Sequence, residues 1–200
     1  MMCISGIKNL SNHSSNLCFF FFSLMFQPKL YDVFLSFRGE DSRAKFMSYL
    51  YSSLQNAAIY TFKDDNEIPR GDQISISLLQ AIERSRISIV VLSKNYANSR
   101  WCLEELEKIM EIGSRTKSMV VVPVFYEVDP SEVRHQKGQF GQKFEDLILK
   151  TSVKESIKRK WRKALTDVAG IAGFSLINSR LFEILIPWYN NLCPFYTSFF

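Results

Sequence analysis

The chain has only two histidines, and its four cysteines include no closely spaced pair. The histidines, His13 and His135, are distant in sequence, so a His-based triad or a multi-histidine metal site is nearly excluded. Without a CxxC motif, the cysteines indicate thiols in a reducing compartment rather than a zinc site or a disulfide framework. These cysteines are Cys3, Cys18, Cys102 and Cys193. We therefore expect no bound metal.

Motifs of common nucleotide-binding and hydrolase folds are also missing. The sequence contains no GxGxxG or GxxxxGK(S/T) loop, no GxSxG elbow and no HExxH helix. Asp64, Asp65 and Glu67 form an acidic cluster that could hold Mg²⁺ in a phosphoacceptor receiver. The third predicted strand, however, ends in Ser93-Lys94-Asn95, where a receiver would have its acceptor aspartate. We interpret the cluster as a solvated loop.

Charge and hydropathy favour neither a nucleic-acid binder nor a membrane protein. Lys and Arg number 25 against 20 Asp and Glu, a formal net charge of only +5. The basic run from Lys150 to Lys163 is interpreted as a solvated helix face, with partner or nucleic-acid contact as the alternative. The apolar run Leu17–Phe26 is shorter than the about 20 residues that span a bilayer.

The two ends of the chain are predicted to lie outside the folded domain. Residues 1–28 are expected to be a poorly ordered extension, with a secretory signal as the alternative, although no small-x-small cleavage site follows Leu17–Phe26. Residues 175–200 are expected to be an irregular tail, because Pro187 and Pro194 interrupt any long helix. The domain itself is predicted over 29–174.

Strand-like and helix-like patterns alternate through the predicted domain. Short runs rich in β-branched and aromatic residues predict four strands, at Tyr31–Phe37, Ile59–Phe62, Ile87–Leu92 and Met119–Phe125. Apolar residues at helical spacing lie between and after them, as at Phe46, Leu50 and Leu54 or at Trp161, Leu165 and Val168. This order predicts a doubly wound parallel α/β sheet. No fifth strand is evident.

Such a sheet binds its ligands beyond the carboxyl ends of the strands. The segments that follow the predicted strands are polar and rich in turn residues, which makes them the candidate site. They are Arg38–Asp41, Lys63–Gly71, Ser93–Arg100 and Tyr126–Pro130. Because the fold hosts many chemistries, function has to be inferred from these loops.

Long ordered motifs in the chain are similar to those of one family. They include YDVFLSFRGEDSR (Tyr31–Arg43), TFKDDNEIPRGDQIS (Thr61–Ser75), SRWCLEEL (Ser99–Leu106) and VVPVFYEVDPSEVRHQKGQFGQKFE (Val121–Glu145). With them, the chain from Lys29 to Phe174 resembles the TIR domain of plant intracellular immune receptors. The resemblance implies a flavodoxin-like, three-layer α/β/α fold. It also implies self-association and hydrolysis of the nicotinamide–ribose bond of NAD⁺, which is a substrate here and not a cofactor.

The resemblance assigns roles to individual residues. The family's catalytic glutamate corresponds to Glu105 in WCLEEL, a position where composition alone would predict an exposed helix glutamate. Glu104, its neighbour, points about 100° away and is interpreted as an exposed helix glutamate with no part in the site. The remaining expected substrate-binding residues are Phe37, Arg38, Gly39, Arg70, Gly71 and Trp101. For Trp101, stacking on a substrate ring and packing in the core both remain open. Cys102 is interpreted as a buried packing residue.

The resemblance also indicates two surfaces for self-association. The first corresponds to Ser48-Tyr49, where the family often has Ser-His, so tyrosine puts symmetric packing in doubt. The second corresponds to Gly138 and Gly141 in QKGQFG. The loop of Arg70 and Gly71 is expected to close over a neighbour's site.

Two functions remain in view from the sequence. The first is an NAD⁺ glycohydrolase that yields ADP-ribose-type nucleotides, including cyclic isomers, in innate immune signalling. The second is a non-catalytic adaptor or decoy that binds other TIR proteins. The expected location is the cytoplasm, with the nucleus as a second compartment. Because no nucleotide-binding or leucine-rich-repeat sequence follows Phe174, we expect a TIR-only protein or a truncated receptor.

Overall fold

The computed structural model describes residues 29–39, 46–63, 76–116 and 119–176. The strands are β1 (Tyr31–Phe37), β2 (Thr61–Lys63), β3 (Ser85–Ser93), β4 (Val120–Tyr126) and β5 (Phe174–Leu176). The helices are α1 (Ser48–Asn56), α2 (Ile76–Glu83), α3 (Arg100–Thr116), α4 (Pro130–His135), α5 (Gly138–Lys150) and α6 (Glu155–Val168), with a 3₁₀ turn at Tyr96–Asn98. The predicted extension 1–28, the acidic cluster, Arg70 and Gly71 lie outside the described residues, as does the chain from 177 onward.

The five strands form one parallel sheet in the order β2-β1-β3-β4-β5. After β1 the chain moves outward to β2, and then returns to place β3 on the other side of β1. This reversal of direction makes the β1/β3 boundary the switch point of the sheet, where open α/β folds bind their ligands. The predicted doubly wound parallel sheet is confirmed.

Alternating residues of the strands belong to two separate hydrophobic clusters, one on each face of the sheet. In β1, Val33 and Leu35 belong to one cluster and Phe34 to the other. Helix α1 packs on the first face through Leu50 and Leu54, whereas α2, α3, α5 and α6 contribute buried residues to the second. The expected three-layer α/β/α arrangement is therefore present.

One strand differs from the sequence prediction. An irregular segment was expected from residue 175, but Phe174–Leu176 forms β5 and pairs with Val124–Tyr126 of β4. Three residues are too few to show a strand period, so the pattern gave no signal. Gly173 comes directly before this strand. It lies so close to Pro123 that a Cβ at Gly173 would overlap the Pro123 carbonyl. The short strand therefore depends on a tertiary contact.

Candidate active site at the β1/β3 switch point

The candidate site is built where β1 and β3 end side by side. Ser36 and Phe37 end β1 and Arg38 follows it, whereas Asn95 and the 3₁₀ turn follow β3. Helix α3 begins directly afterwards, so its first two turns lie beside the same edge of the sheet. Residues more than fifty positions apart in sequence thereby meet at the switch point.

Glu105 is buried in this site, with a relative exposure of only 9%. Burying a carboxylate is costly unless hydrogen bonds replace its lost hydration. The hydroxyl of Ser36 donates such a bond to Glu105 Oε2 at 2.9 Å. The expectation of an exposed helix glutamate is wrong, because α3 turns this position inward against β1. Glu104 beside it is half-buried rather than fully exposed, and it pairs with Arg100 at 2.7 Å.

Tyr96 extends the contact between Ser36 and Glu105. Its hydroxyl lies 2.9 Å from Ser36 Oγ and donates to the carbonyl of Cys102 at 3.0 Å. The side chain is fully buried, and this burial, together with the nearby Cys102 and Glu105, raises the pKa of Tyr96 well above its ordinary value. The phenol is thus a proton donor throughout the neutral range. Sequence reasoning did not single out Ser36 or Tyr96.

Two further contacts fasten the loops of the site to each other. Arg38 Nη1 donates to the carbonyl of Asn95 at 2.7 Å, which joins the segments after β1 and β3. The Cys102 thiol donates to the carbonyl of Phe37 at 3.7 Å, which joins α3 to the end of β1. Cys102 is buried, as predicted for a packing residue. The loop ends are therefore preorganised around Glu105.

The other expected substrate-binding residues lie in the same region where the structure describes them. Phe37 and Gly39 are half-buried at the end of β1. Trp101 is half-buried in the first turn of α3, whereas Cys102 and Leu103 beside it belong to the buried core. Its partial exposure leaves room for a role in the site. Arg70 and Gly71 remain outside the described residues.

The residues expected to mediate self-association fall on separate elements. Ser48 and Tyr49 begin α1, and both are exposed, Tyr49 by 58%. Gly138 is exposed and has a φ of +59°, a conformation that favours glycine. Gly141 is buried, and a Cβ there would overlap the Gln136 backbone. Both glycines thus have local backbone reasons for their identity.

Most of the basic run from Lys150 to Lys163 lies on α6, although Lys150 ends α5 and Lys154 precedes α6. Lys160 pairs with Glu107 at 2.8 Å, which raises the pKa of Lys160, and Arg162 pairs with Glu145 at 2.8 Å. These ion pairs agree with a solvated helix face whose charge is partly balanced. The described residues contain no cluster of three or more His, Cys, Asp or Glu side chains that could hold a metal ion. Every helix that the structure describes is too short or too polar to span a bilayer.

The fold and site together define a flavodoxin-like α/β protein with a buried carboxylate at its switch point. A sequence model of the TIR domain matches residues 30–186, and the chain belongs to the TIR domain family. It is 51% identical to the disease resistance protein RPV1 of Vitis rotundifolia over 150 residues, which cover 75% of this chain and 10% of that protein. It is 50% identical to the TMV resistance protein N of Nicotiana glutinosa over 145 residues, 72% of this chain and 12% of that protein.

A solved structure resembles the chain closely as well. The TIR domains of the activated Roq1 resistosome, which directly recognises the pathogen effector XopQ, are 45% identical. The match has a TM-score of 0.69 and covers 78% of this chain and 98% of the other. The chain spans only about a tenth of the length of the resistance proteins it matches, with 10% of RPV1 and 12% of the N protein. The likeness therefore concerns one domain of those proteins.

Proposed function

We propose that this TIR domain is an NAD⁺ glycohydrolase whose catalytic residue is Glu105. The observation that carries the proposal is the burial of this carboxylate at the switch point, hydrogen-bonded to Ser36. Keeping a carboxylate buried costs free energy even when it is hydrogen-bonded, so its presence at this site calls for a reason beyond stability. A catalytic role supplies that reason.

The proposed reaction requires little acid–base machinery. Water replaces nicotinamide at the ribose carbon of NAD⁺, giving ADP-ribose, nicotinamide and a proton. Nicotinamide leaves as a neutral molecule, so no general acid is needed, which suits a chain with two histidines. The ribose becomes positively charged as the bond breaks, and a preorganised carboxylate stabilises that charge as it does in glycosidases.

Other residues of the site are proposed to bind the substrate. Arg38 would pair with the pyrophosphate, whose geometry suits a guanidinium fork. Gly39 would let the substrate approach the backbone, and Trp101 would stack on a base ring. Phe37 would border the bound substrate, and Arg70 and Gly71 would close over it from a neighbouring copy.

We further propose that the domain acts in plant innate immune signalling through contacts between TIR domains. The likeness to the resistance proteins and to the TIR domains of an activated resistosome supports this role. Its partners would be copies of itself and other TIR proteins, in the cytoplasm or the nucleus. An adaptor without catalytic activity is the competing function, because exposed Tyr49 stands where the family often has histidine.

The decisive experiment is to incubate the purified, concentrated chain with NAD⁺ and measure free nicotinamide by chromatography. Release of nicotinamide, with ADP-ribose or a cyclic isomer as the second product, is expected. Absence of both products across the concentration range would contradict the enzyme and leave the adaptor as the better account.

A further inference from the structure

Ser36 and Tyr96, from two other elements of the fold, form a hydrogen-bonded chain that ends on Glu105. Ser36 lies near the end of β1, Tyr96 opens the 3₁₀ turn after β3, and Glu105 lies on α3. Ser36 and Tyr96 both have zero relative exposure, so water cannot compensate for a lost hydrogen bond at either hydroxyl. A buried hydroxyl that donates to a buried carboxylate, with a second buried hydroxyl bonded to the first, is an arrangement that packing alone does not require.

The number of protons decides the direction of the hydrogen bonds when Glu105 is ionised. Ser36 and Tyr96 have one hydroxyl proton each, but they take part in three contacts. A carboxylate is the strongest acceptor among the three partners, so Ser36 commits its proton to Glu105. The Tyr96 proton is then shared between Ser36 Oγ and the Cys102 carbonyl.

This arrangement makes the Ser36 hydroxyl a fixed donor. An isolated serine hydroxyl rotates among several acceptors, whereas Tyr96 here occupies the acceptor side of Ser36 Oγ. Tyr96 is held in turn by the Cys102 carbonyl, in the same helix as Glu105. The contacts therefore close a loop from α3 through Tyr96 and Ser36 back to α3.

Resting on the function proposed above, we infer that Ser36 and Tyr96 are positioning residues that hold the Glu105 carboxylate in one orientation for the reacting ribose. Neither residue needs to touch the substrate. Ser36 acts directly on Glu105 Oε2, and Tyr96 acts through Ser36. The effect of removing Ser36 is thus expected to exceed that of removing the Tyr96 hydroxyl.

The test compares Ser36→Ala and Tyr96→Phe with Ser88→Ala as a matched control. Ser88 is equally buried, on the neighbouring strand β3, and its hydroxyl contacts Met119 Sδ at 3.0 Å rather than the site. Loss of one hydrogen bond to a charged group should lower kcat for NAD⁺ about 10-fold in Ser36→Ala and about 3-fold in Tyr96→Phe. KM should stay within about two-fold in both, because substrate contacts are unchanged.

Two results would overturn the inference. One is an unchanged kcat in Ser36→Ala, and the other is an equal loss in Ser88→Ala, which would indicate a general effect of removing a buried hydroxyl. Thermal unfolding of each variant identifies any that fails to fold. If Ser36→Ala fails to fold, Tyr96→Phe still tests the inference, because it keeps the whole aromatic ring.

A second measurement separates this inference from the proposed activity. The carboxyl ¹³C resonance of Glu105, assigned by its loss in Glu105→Gln, should move in Ser36→Ala and stay in Ser88→Ala. If the parent chain releases no nicotinamide, the proposed function fails, but this resonance still shows whether Ser36 holds Glu105. An unmoved resonance in Ser36→Ala would refute the positioning contact whatever the activity.

Discussion

Ser36 Oγ lies 2.9 Å from Oε2 of Glu105, although the two residues are 69 positions apart in the chain. The contact fastens the second turn of α3 to the end of β1, across the switch point of the sheet. It also explains how a carboxylate remains stable when 91% of its surface is removed from water, since its relative exposure is 9%. Glu105 is thus part of the fold as well as the proposed catalytic residue.

Replacing Glu105 with glutamine should abolish nicotinamide release while the protein stays folded. Glutamine keeps the side-chain shape and can still accept a hydrogen bond from Ser36, so unfolding free energy should change by only about 1 kcal/mol. The lost negative charge, however, removes the stabilisation of the ribose cation. Nicotinamide release and urea unfolding of the same preparations measure the two effects.

Glu104→Ala is the matched control for that substitution. Glu104 forms a partly exposed ion pair with Arg100, whose loss should cost less than about 1 kcal/mol and leave activity intact. Equal inactivation by the two substitutions would show that the carboxylate at 105 has no special role.

Arg38→Ala should raise the KM for NAD⁺ by about 10-fold, because the proposed charge-assisted bond to the pyrophosphate would be lost. The bond from Arg38 to the Asn95 carbonyl is lost as well, so kcat should also fall. Arg38→Lys should be intermediate, since an ammonium keeps the charge but not the fork. Steady-state kinetics at several NAD⁺ concentrations distinguish the two parameters.

Arg115→Ala serves as the control for a surface arginine, because Arg115 is exposed near the end of α3 and pairs loosely with Glu111. It should leave both parameters unchanged. If the KM of Arg38→Ala equals that of the parent, Arg38 does not bind the substrate. Its role is then to connect the segments after β1 and β3 through Asn95.

Activity per molecule should rise with protein concentration if a neighbour's loop completes each site. A weakly associating domain is mostly an inactive monomer when dilute, and mass action populates the active assembly. An Arg70→Ala variant should be impaired, and mixing it with Glu105→Ala should partly restore nicotinamide release. Some sites in the mixture then combine an intact Glu105 with an intact loop.

Specific activity that stays flat from nanomolar to high micromolar protein, with no rescue on mixing, would argue against shared sites. The exposed Tyr49 on α1 would then be a natural candidate for the residue that prevents symmetric packing. Sedimentation velocity at the same concentrations shows whether the chain associates at all.

Gly141→Ala should destabilise the domain even if the protein never associates. The added Cβ would overlap the backbone of Gln136, which cannot move without disturbing the start of α5. A loss of about 1–3 kcal/mol in unfolding free energy is expected. Gly170→Ala, whose nearest atom would be the Asp167 carbonyl oxygen at 3.2 Å, should cost clearly less. Equal stability of the two variants would contradict a structural requirement for glycine at 141 and would favour a role in an interface.

Stability should decline in alkali because of Tyr96. Its pKa is raised on folding, first by burial and then by Cys102 and Glu105, so folding favours the protonated phenol. This contribution is complete below the unfolded-state pKa of about 10 and is lost as pH rises through the folded-state pKa. Tyr96→Phe should therefore lose less stability than the parent between about pH 8 and about pH 11.5 in urea titrations. Parallel losses would mean that Tyr96 titrates normally.

Elements with strong periodic patterns were predictable from the sequence. Tyr31–Phe37 forms a strand over the predicted range, and the buried run Ile87–Leu92 lies inside β3. Ile59–Phe62 was less well placed, because β2 runs from Thr61 to Lys63. A three-residue strand shows too little alternation to fix its ends, as β5 also demonstrates.

The sequence by itself determined the alternating α/β order, the polar strand ends and the family motifs around Glu105. These features are local, because the hydrophobic period and the motif spacing each depend only on residues within a short segment. Only the tertiary structure decided that Glu105 is buried and that Ser36 and Tyr96 hold it. The strands contain other buried serines, Ser85, Ser88 and Ser93, so nothing in the sequence distinguished Ser36. The order and register of β1 and β3 bring distant segments to one edge of the sheet. They therefore decide which serine hydroxyl contacts the Glu105 carboxylate.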